Sequence, residues 1–229
     1  MSGIDLSRLS DQDVFGEFQR RVRCALQPET RMILIGPPGA GKGTLGPNIT
    51  DKYCVCHLAT GDMLRAAVKQ GTEVGKMAEG IMNSGGLVGD QVIIDLIKER
   101  TKTPECSRGF ILDGTPRTIE QAEMLGEMMK ESGHSIDRVL ELQVPDASLI
   151  ERICGRRVHM ASGRSYHVKF RPPTVADIDD ITGEPLIQRK DDNEEALSKR
   201  LEGYHKYTVP VLDYYRKYLF LFLKNLALV

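Results

Sequence analysis

The chain has 229 residues, enough for one or two domains at about 150 residues each, and its 31 Lys and Arg against 32 Asp and Glu leave a net charge of −1. A composition that is 41% apolar and 28% charged is globular, and the near-neutral balance gives no support to nucleic acid as a partner. The longest apolar run, Leu219 to Val229, is interrupted by Lys224 and is far short of the about twenty residues that a bilayer needs, so no membrane span is expected.

Residues 1 to 30 read as a helical extension. Val14, Phe15, Phe18, Val22 and Leu26 repeat at helical spacing, Ser10 stands where a cap would, an acidic first turn follows, and Pro28 marks the stop. The acidic residues Asp5, Asp11, Asp13 and Glu17 argue for an ordered extension over a mitochondrial presequence. The five cysteines (Cys24, Cys54, Cys56, Cys106 and Cys154) are odd in number, and no apolar leader follows Met1. They read as buried thiols in a reducing compartment. Cys54-x-Cys56 lacks a second Cys or His pair at finger spacing, so no zinc is expected there.

Met32-Ile-Leu-Ile35 is an apolar run of the kind buried on both faces of a sheet, and Phe110–Asp113 and Val139–Leu142 repeat it. Between and after them, helical patterns cover 91–100, 119–130 and 147–157, and another runs from Asn193 to about Lys217. Strands alternating with helices predict an α/β fold, a parallel sheet flanked by helices. From Val158 to Asp192, Ser162-Gly, Pro172-Pro and Thr182-Gly-Glu-Pro replace the long periodic runs, which suits a small inserted subdomain.

The first strand runs into Gly36-Pro-Pro-Gly-Ala-Gly-Lys-Gly-Thr44, which fits G-x-x-x-x-G-K and opens a helix. Glycines let successive N–H groups turn toward an anion, the helix terminus adds its dipole, and Lys42 brings a charge to the outer phosphates. Gly43 stands where a hydroxyl residue usually follows the lysine, with Thr44 next, which weakens a GTPase reading. A kinase must also hold an acceptor. Thr60 before a helix carrying Arg65, Asp113-Gly-Thr-Pro-Arg117 at a strand end, and Arg156, Arg157, Arg189 and Arg200 around the insert supply the cations that two nucleotides meeting end to end require. Asp113 is suited to Mg²⁺ through water.

These motifs resemble adenylate kinase of the long-lid type over roughly residues 31 to 217. The resemblance rests on GPPGAGKGT (36–44), LATGDMLRAAV (58–68), GGLVGD (85–90), GFILDGTPRT (109–118), GRRVHMASGRSYHVKFRPP (155–173) and DDITGEPLIQRKDDNEEALSKRL (179–201). It implies a P-loop kinase core over 31–229, interrupted by an AMP-binding subdomain at 60–88 and a lid at 158–192. It places Gly39, Ala40, Gly41, Lys42, Gly43 and Thr44 on the ATP phosphates, and Arg152, Arg156, Tyr166 and Phe170 where the lid meets ATP. Thr60, Arg65, Val88, Gly114, Arg117 and Gln121 fall on AMP-binding positions, and Arg189 and Arg200 bridge both nucleotides. The implied reaction is Mg²⁺-dependent transfer between ATP and AMP giving two ADP, with Lys42, Arg117, Arg156, Arg189, Arg200 and Asp113 as the catalytic set.

Some relatives hold zinc in the lid by four cysteines. Here His159, Ser162, Asp179 and Thr182 stand in their place, a set suited to a hydrogen-bonded polar cluster, and no zinc is expected. His167 reads as lid packing or a ligand-side hydrogen bond. Thr115 replaces the family's phenylalanine beside the AMP pocket, Leu45-Gly46 replaces Gln-Ala, and Leu219–Val229 can supply one short strand in place of the family's longer ending. Two alternatives therefore stand: a catalytically impaired nucleotide-binding or interaction protein, and a nucleoside monophosphate kinase with another acceptor base. A monomer in the cytoplasm is expected, with the mitochondrial intermembrane space as the alternative compartment.

Overall fold

The computed structural model describes residues 10–217 and 221–224. Helix α1 (Asp11–Ala25) starts at Ser10, whose hydroxyl accepts from Asp13 N while the Asp13 carboxylate accepts from Ser10 N, a reciprocal capping box. Strand β1 (Thr30–Ile35) follows and leads through the glycine-rich loop into α2 (Lys42–Tyr53), then β2 (Cys56–Ala59). Two 11-residue helices, α3 (Thr60–Gln70) and α4 (Glu73–Asn83), and α5 (Asp90–Thr101) precede β3 (Gly109–Asp113). The core continues with α6 (Ile119–Glu131), β4 (Arg138–Leu142) and α7 (Leu149–Cys154). After the short strands β5 (Arg156–Val158) and β6 (Ser165–His167) come α8 (Glu194–Gly203), α9 (Val209–Arg216) and β7 (Leu221–Lys224).

The main sheet has the order β2-β3-β1-β4-β7, every pair parallel. The run Met32–Ile35 of β1 is apolar because both of its faces are covered: Ile33 and Ile35 enter the larger core with Leu112, Ile97 and Leu125, while Met32 and Leu34 pack the other face with Ile49 and Ile111. Side chains alternate across the pleat, so a strand covered by helices on both sides has no polar position to spare. Full burial of each such side chain contributes about 1.5–3 kcal/mol. The fold is α/β, a parallel sheet flanked by helices. Among the described residues, no helix is long and apolar enough to cross a membrane.

Three elements depart from the sequence reading. β2 is an edge strand of Cys-His-Leu-Ala with only Leu58 fully inside, too short and too mixed to stand out by pattern. The helix expected over 147–157 ends at Cys154, because Arg156 and Arg157 are drawn into the β5–β6 hairpin opposite His167 and Tyr166. The helix expected from Asn193 to Lys217 is broken by a π-helical turn at Tyr204–Thr208 between α8 and α9. At the C-terminal end, Leu221–Lys224 pairs with β4 as the sheet's fifth strand; the remainder of the apolar tail, like residues 1–9 of the extension, lies outside the described residues.

The cysteines overturn the thiol reading. Cys24 is bonded to Cys54, fastening α1 to the C-terminal end of α2, and Cys56 to Cys106, fastening edge strand β2 to the turn before β3; Cys154 alone is free. Their Cα separations of 5.3 and 5.0 Å suit the bond. Pairs 30 and 50 residues apart are invisible to local spacing. Replacing Cys56 and Cys106 together by alanine should lower stability by about 2–4 kcal/mol in urea denaturation, because the 50-residue loop is no longer closed in the unfolded chain. Alkylation of the unreduced protein should label one cysteine, Cys154.

Candidate active site

The groups singled out from sequence for the nucleotides gather around the carboxyl ends of β1, β2 and β3, where ligands of open parallel sheets bind, with the exception of Arg157, whose guanidinium pairs with Asp177 at 3.1 Å and does not line the cleft. Asp113, the last residue of β3, is level with Leu34 of β1 and Ala59 of β2. The loop from Gly36 to Gly41 leaves β1 and turns at Gly39 (φ 84°) and Gly41 (φ 96°), conformations that glycine adopts without a Cβ penalty. No side chain caps α2, whose cap residue is Gly41. The N–H groups of Lys42 and Gly43, which lack intrahelical partners, are therefore open to an anion, while the Thr44 N–H donates to Gly41 O at 3.1 Å. Lys42 Nζ donates to Gly36 O at 2.7 Å and Pro37 O at 2.9 Å, which holds the ammonium across the loop.

This loop forms one wall of a cleft of about 470 Å³. A second cavity of about 70 Å³ adjoins it, with Thr60, Leu64, Val88 and Gln121 in its lining. Arg65, Arg117, Arg200 and Thr115 border both spaces. Arg117 Nε donates to Gly114 O at 2.6 Å, and its backbone N–H donates to Gln121 Oε1 at 2.8 Å, while Gln121 Nε2 donates to Asp90 at 2.8 Å. The guanidinium is thus aimed from a rigid loop between β3 and α6. Gly114 (φ 78°) leaves room for it, since a Cβ there would stand 3.2 Å from Arg117 Nη2. Thr115, where the family resembled above has phenylalanine, is buried and shares a 2.9 Å hydroxyl contact with Thr60, whose Oγ1 donates onward to Asp113 O at 3.4 Å.

The remaining arginines come from the far side of the chain and are held by carboxylates. Arg189 and Arg65 both donate to Asp62 Oδ1, at 2.7 and 2.8 Å. Arg200 pairs with Asp191 at 2.9 Å, and Arg156 makes a two-pronged contact with the fully buried Asp192. Arg189 Nε is buried with no acceptor, an N–H that a phosphate oxygen would satisfy. Burial pushes Lys42 down to about 8; Asp113 opposes this, and Arg117, Arg200 and Arg156 add to it. Arg189 and Arg200 are each pushed down to about 10, chiefly by burial and further by neighbouring arginines. Burial would raise Asp62, yet Arg189 and Arg65 outweigh it and hold the carboxyl below its ordinary value. The cleft therefore carries more buried positive charge than its own carboxylates relieve.

On the insert side, Arg152, Arg156, Tyr166 and Phe170 all line the larger cleft. Tyr166 gives it only its ring, because its hydroxyl donates to Asp179 at 3.0 Å. His167 Nδ1 accepts from the backbone N–H of Lys169 and Phe170 at 3.0 and 3.1 Å, Nε2 faces Glu151 O at 3.1 Å, and the ring stacks on Phe170 with centroids 4.5 Å apart. It shapes the hairpin. His159, Ser162, Asp179 and Thr182 form a connected polar cluster: His159 reaches Ser162 at 2.7 Å and Glu184 at 2.5 Å, and Asp179 accepts from Arg164, Tyr166 and Thr182. The Arg164 fork, ahead of the threonine contacts, holds the Asp179 carboxyl far below the usual range.

Sequence reasoning missed the carboxylates Asp62, Asp191 and Asp192, and the contribution of the π-helical turn. Gly203, Tyr204 and Thr208 line the cleft, and Thr208 Oγ1 donates to Arg117 O at 3.0 Å. The adjacency of Asp191 and Asp192 to Arg189 was a usable signal; the turn left none. Gly46 also gains a reason. A Cβ there would stand 2.6 Å from the ring of His57, so the glycine makes room for that ring beside Asp113, whose Oδ2 lies 3.4 Å from His57 Nε2.

A P-loop, a second anion pocket and shared arginines between them define a nucleotide-binding phosphotransferase. Comparison with known proteins narrows this. The family model for adenylate kinase matches residues 34–219. The chain is similar to "Adenylate kinase 4" of Oryza sativa subsp. japonica, 53% identical over 213 residues covering 93% of this chain and 88% of that protein, and to "Adenylate kinase 4" of Arabidopsis thaliana, also 53% identical, covering 93% and 87%. An "Adenylate kinase" of Kluyveromyces lactis is 56% identical over 192 residues, 83% of this chain and 85% of that protein. The chain belongs to the adenylate kinase family.

With Lys42 at about 8, its ammonium is present below that pH and lost above it, while a bound polyanion restores it. ATP affinity should therefore weaken as pH rises from 8 to 9.5, by up to about tenfold per unit for one linked proton. Calorimetry in buffers of different ionisation enthalpy should record proton uptake on binding, and Lys42→Arg should abolish that uptake.

Proposed function

We infer that the chain catalyses reversible phosphoryl transfer between ATP and AMP, giving two ADP. The observation that carries this is the pair of adjoining cavities walled by Arg65, Arg117 and Arg200. The larger accepts ATP, its phosphates on Gly39, Ala40, Gly41, Lys42, Gly43 and Thr44 and its flank on Arg152, Arg156, Tyr166 and Phe170. AMP lies against Thr60, Arg65, Val88, Arg117 and Gln121 around the smaller cavity and Gly114 in the adjoining part of the larger cleft. One chain supplies every one of these groups, so a single copy is a complete catalytic unit.

An AMP phosphate oxygen attacks the γ-phosphorus in line; the new P–O bond forms as the bond to the ADP leaving oxygen breaks. The attacking AMP phosphate oxygen is already ionised near neutral pH, so no protein base is needed, and the work is alignment and charge stabilisation. Lys42, Arg117, Arg156, Arg189 and Arg200 spread the charge over the transferring group. Asp113 fits Mg²⁺: its carboxylate lines the cleft near Lys42, while Asp62, the other carboxylate of the lining, is taken up by Arg65 and Arg189, and Mg²⁺ takes one or two carboxylates with water and phosphate oxygens. When bound, the ion supplies further neutralisation of the phosphate oxygens. Residues 158–192 are read as a lid over the phosphates and 60–88 as the acceptor subdomain; closure excludes water as a competing acceptor.

The compartment rests on the cysteines. With four of five paired in disulfides, the oxidising mitochondrial intermembrane space fits better than the cytoplasm expected from free thiols. Activity is tested by coupled ADP production with AMP, GMP, CMP and UMP. AMP should be the preferred acceptor, and Lys42→Met should lower kcat by over ~100-fold, the scale of losing one preorganised charge contact. ATP binding without ADP formation in the unaltered protein would favour a catalytically impaired nucleotide binder.

A further inference from the structure

The helical run that carries Arg200 to the cleft is not α-helical throughout. α8 passes into the π-helical turn Tyr204–Thr208, where the Val209 N–H reaches back to Tyr204 O, and α9 then resumes the ordinary ladder. Such a turn takes up one residue more than an α turn does. On a continuous α-helix, at 100° per residue, Thr208 would stand about 80° from the line of Arg200; with the extra residue absorbed it stands about 20° from that line. Arg200, Gly203, Tyr204 and Thr208 accordingly all line the larger cleft.

Thr208 is buried, and its Oγ1 donates to Arg117 O at 3.0 Å across 91 positions of sequence. The other bonds of Arg117 stay close to it in the chain: its N–H donates to Gln121 Oε1 at 2.8 Å and its Nε to Gly114 O at 2.6 Å. Thr208 is therefore the contact that fastens this loop to the helical run bearing Arg200. Arg117 and Arg200 both border the two cavities. Burial lowers the pKa of Arg200, and Arg117 is among the cations that lower it further, so two like charges are held near each other at the point where two nucleotides would meet. A threonine hydroxyl has one proton; given to the Arg117 carbonyl, it is not available to a phosphate.

We propose that Thr208 is a positioning residue for phosphoryl transfer. Through the Arg117 carbonyl it fixes the Arg117 guanidinium relative to Arg200, and the π-helical turn is the device that brings its hydroxyl onto the face where it does so. The proposal rests on the reading of the smaller cavity as the AMP site, and Thr208 acts through Arg117.

The test is steady-state kinetics with each nucleotide varied in turn, beside amide hydrogen exchange of the nucleotide-free protein. Thr208→Val keeps the shape of the side chain and removes its donor. It should lower kcat/KM for AMP about three- to tenfold, the scale of one neutral hydrogen bond, and leave KM for ATP within ~twofold. Amides within 114–118 should exchange at least ~threefold faster and those of β3 at the unaltered rate. Thr208→Ser restores the donor and should return both readings to within ~twofold of the unaltered protein. In an Arg117→Ala background no guanidinium remains to be aimed, and Thr208→Val should then change kcat/KM for AMP by less than ~twofold. A full further loss in that background overturns the proposal, since the hydroxyl would then support the fold alone, and so do loop amides that exchange at the unaltered rate. An active protein whose kcat/KM for AMP is indifferent to Thr208→Val overturns this proposal only, whereas an unaltered protein that forms no ADP removes the phosphotransferase reading and the positioning role with it.

Discussion

The constraint on which the structure turns is the mutual repulsion of cations gathered from distant parts of the chain. Lys42 comes from the start of α2, Arg65 from α3, Arg117 from the loop after β3, Arg156 from β5, Arg189 from the end of the insert and Arg200 from α8. Left alone they would not stay together in a half-buried cleft. The fold holds them by three devices: carboxylates at Asp62, Asp191 and Asp192, backbone carbonyls at Gly36, Pro37 and Gly114, and the rigidity of a sheet buried on both faces. The residual excess of positive charge, seen in the lowered values of Lys42, Arg189 and Arg200, is the affinity of the site for phosphates.

Asp62 joins two walls of the cleft. It lies on α3 and is shared by Arg65 of the same helix and Arg189 from the end of the insert. The polar cluster around Asp179 plays a different part. It ties β5, β6 and the 179–184 turn together by hydrogen bonds, giving the insert cohesion that its few apolar residues cannot supply.

How much of this was legible depended on the range of the interaction. The P-loop was readable because strand, glycines, lysine and helix are contiguous, and α1 because its cap and period are local. β2 was not, since four residues of Cys-His-Leu-Ala have no pattern that separates a strand from a loop. The boundary at Cys154 was misplaced because the helical run in 147–157 continues in sequence, while pairing with β6 takes Arg156 and Arg157 out of it. Gly46, a weak residue for a helix interior, made sense only once the His57 ring was seen against it.

By itself the sequence determined the α/β class, the phosphate loop and the roster of arginines, since each is written in neighbouring residues and in the chemistry of their side chains. Only the tertiary structure decided which carboxylate restrains which arginine, how the four cysteines pair and which way α1 faces. Apart from Arg65–Asp62 and Arg200–Asp191, 3 and 9 positions apart, the cleft and cysteine pairings join residues 30 to 127 positions apart, and local periodicity holds no information about them.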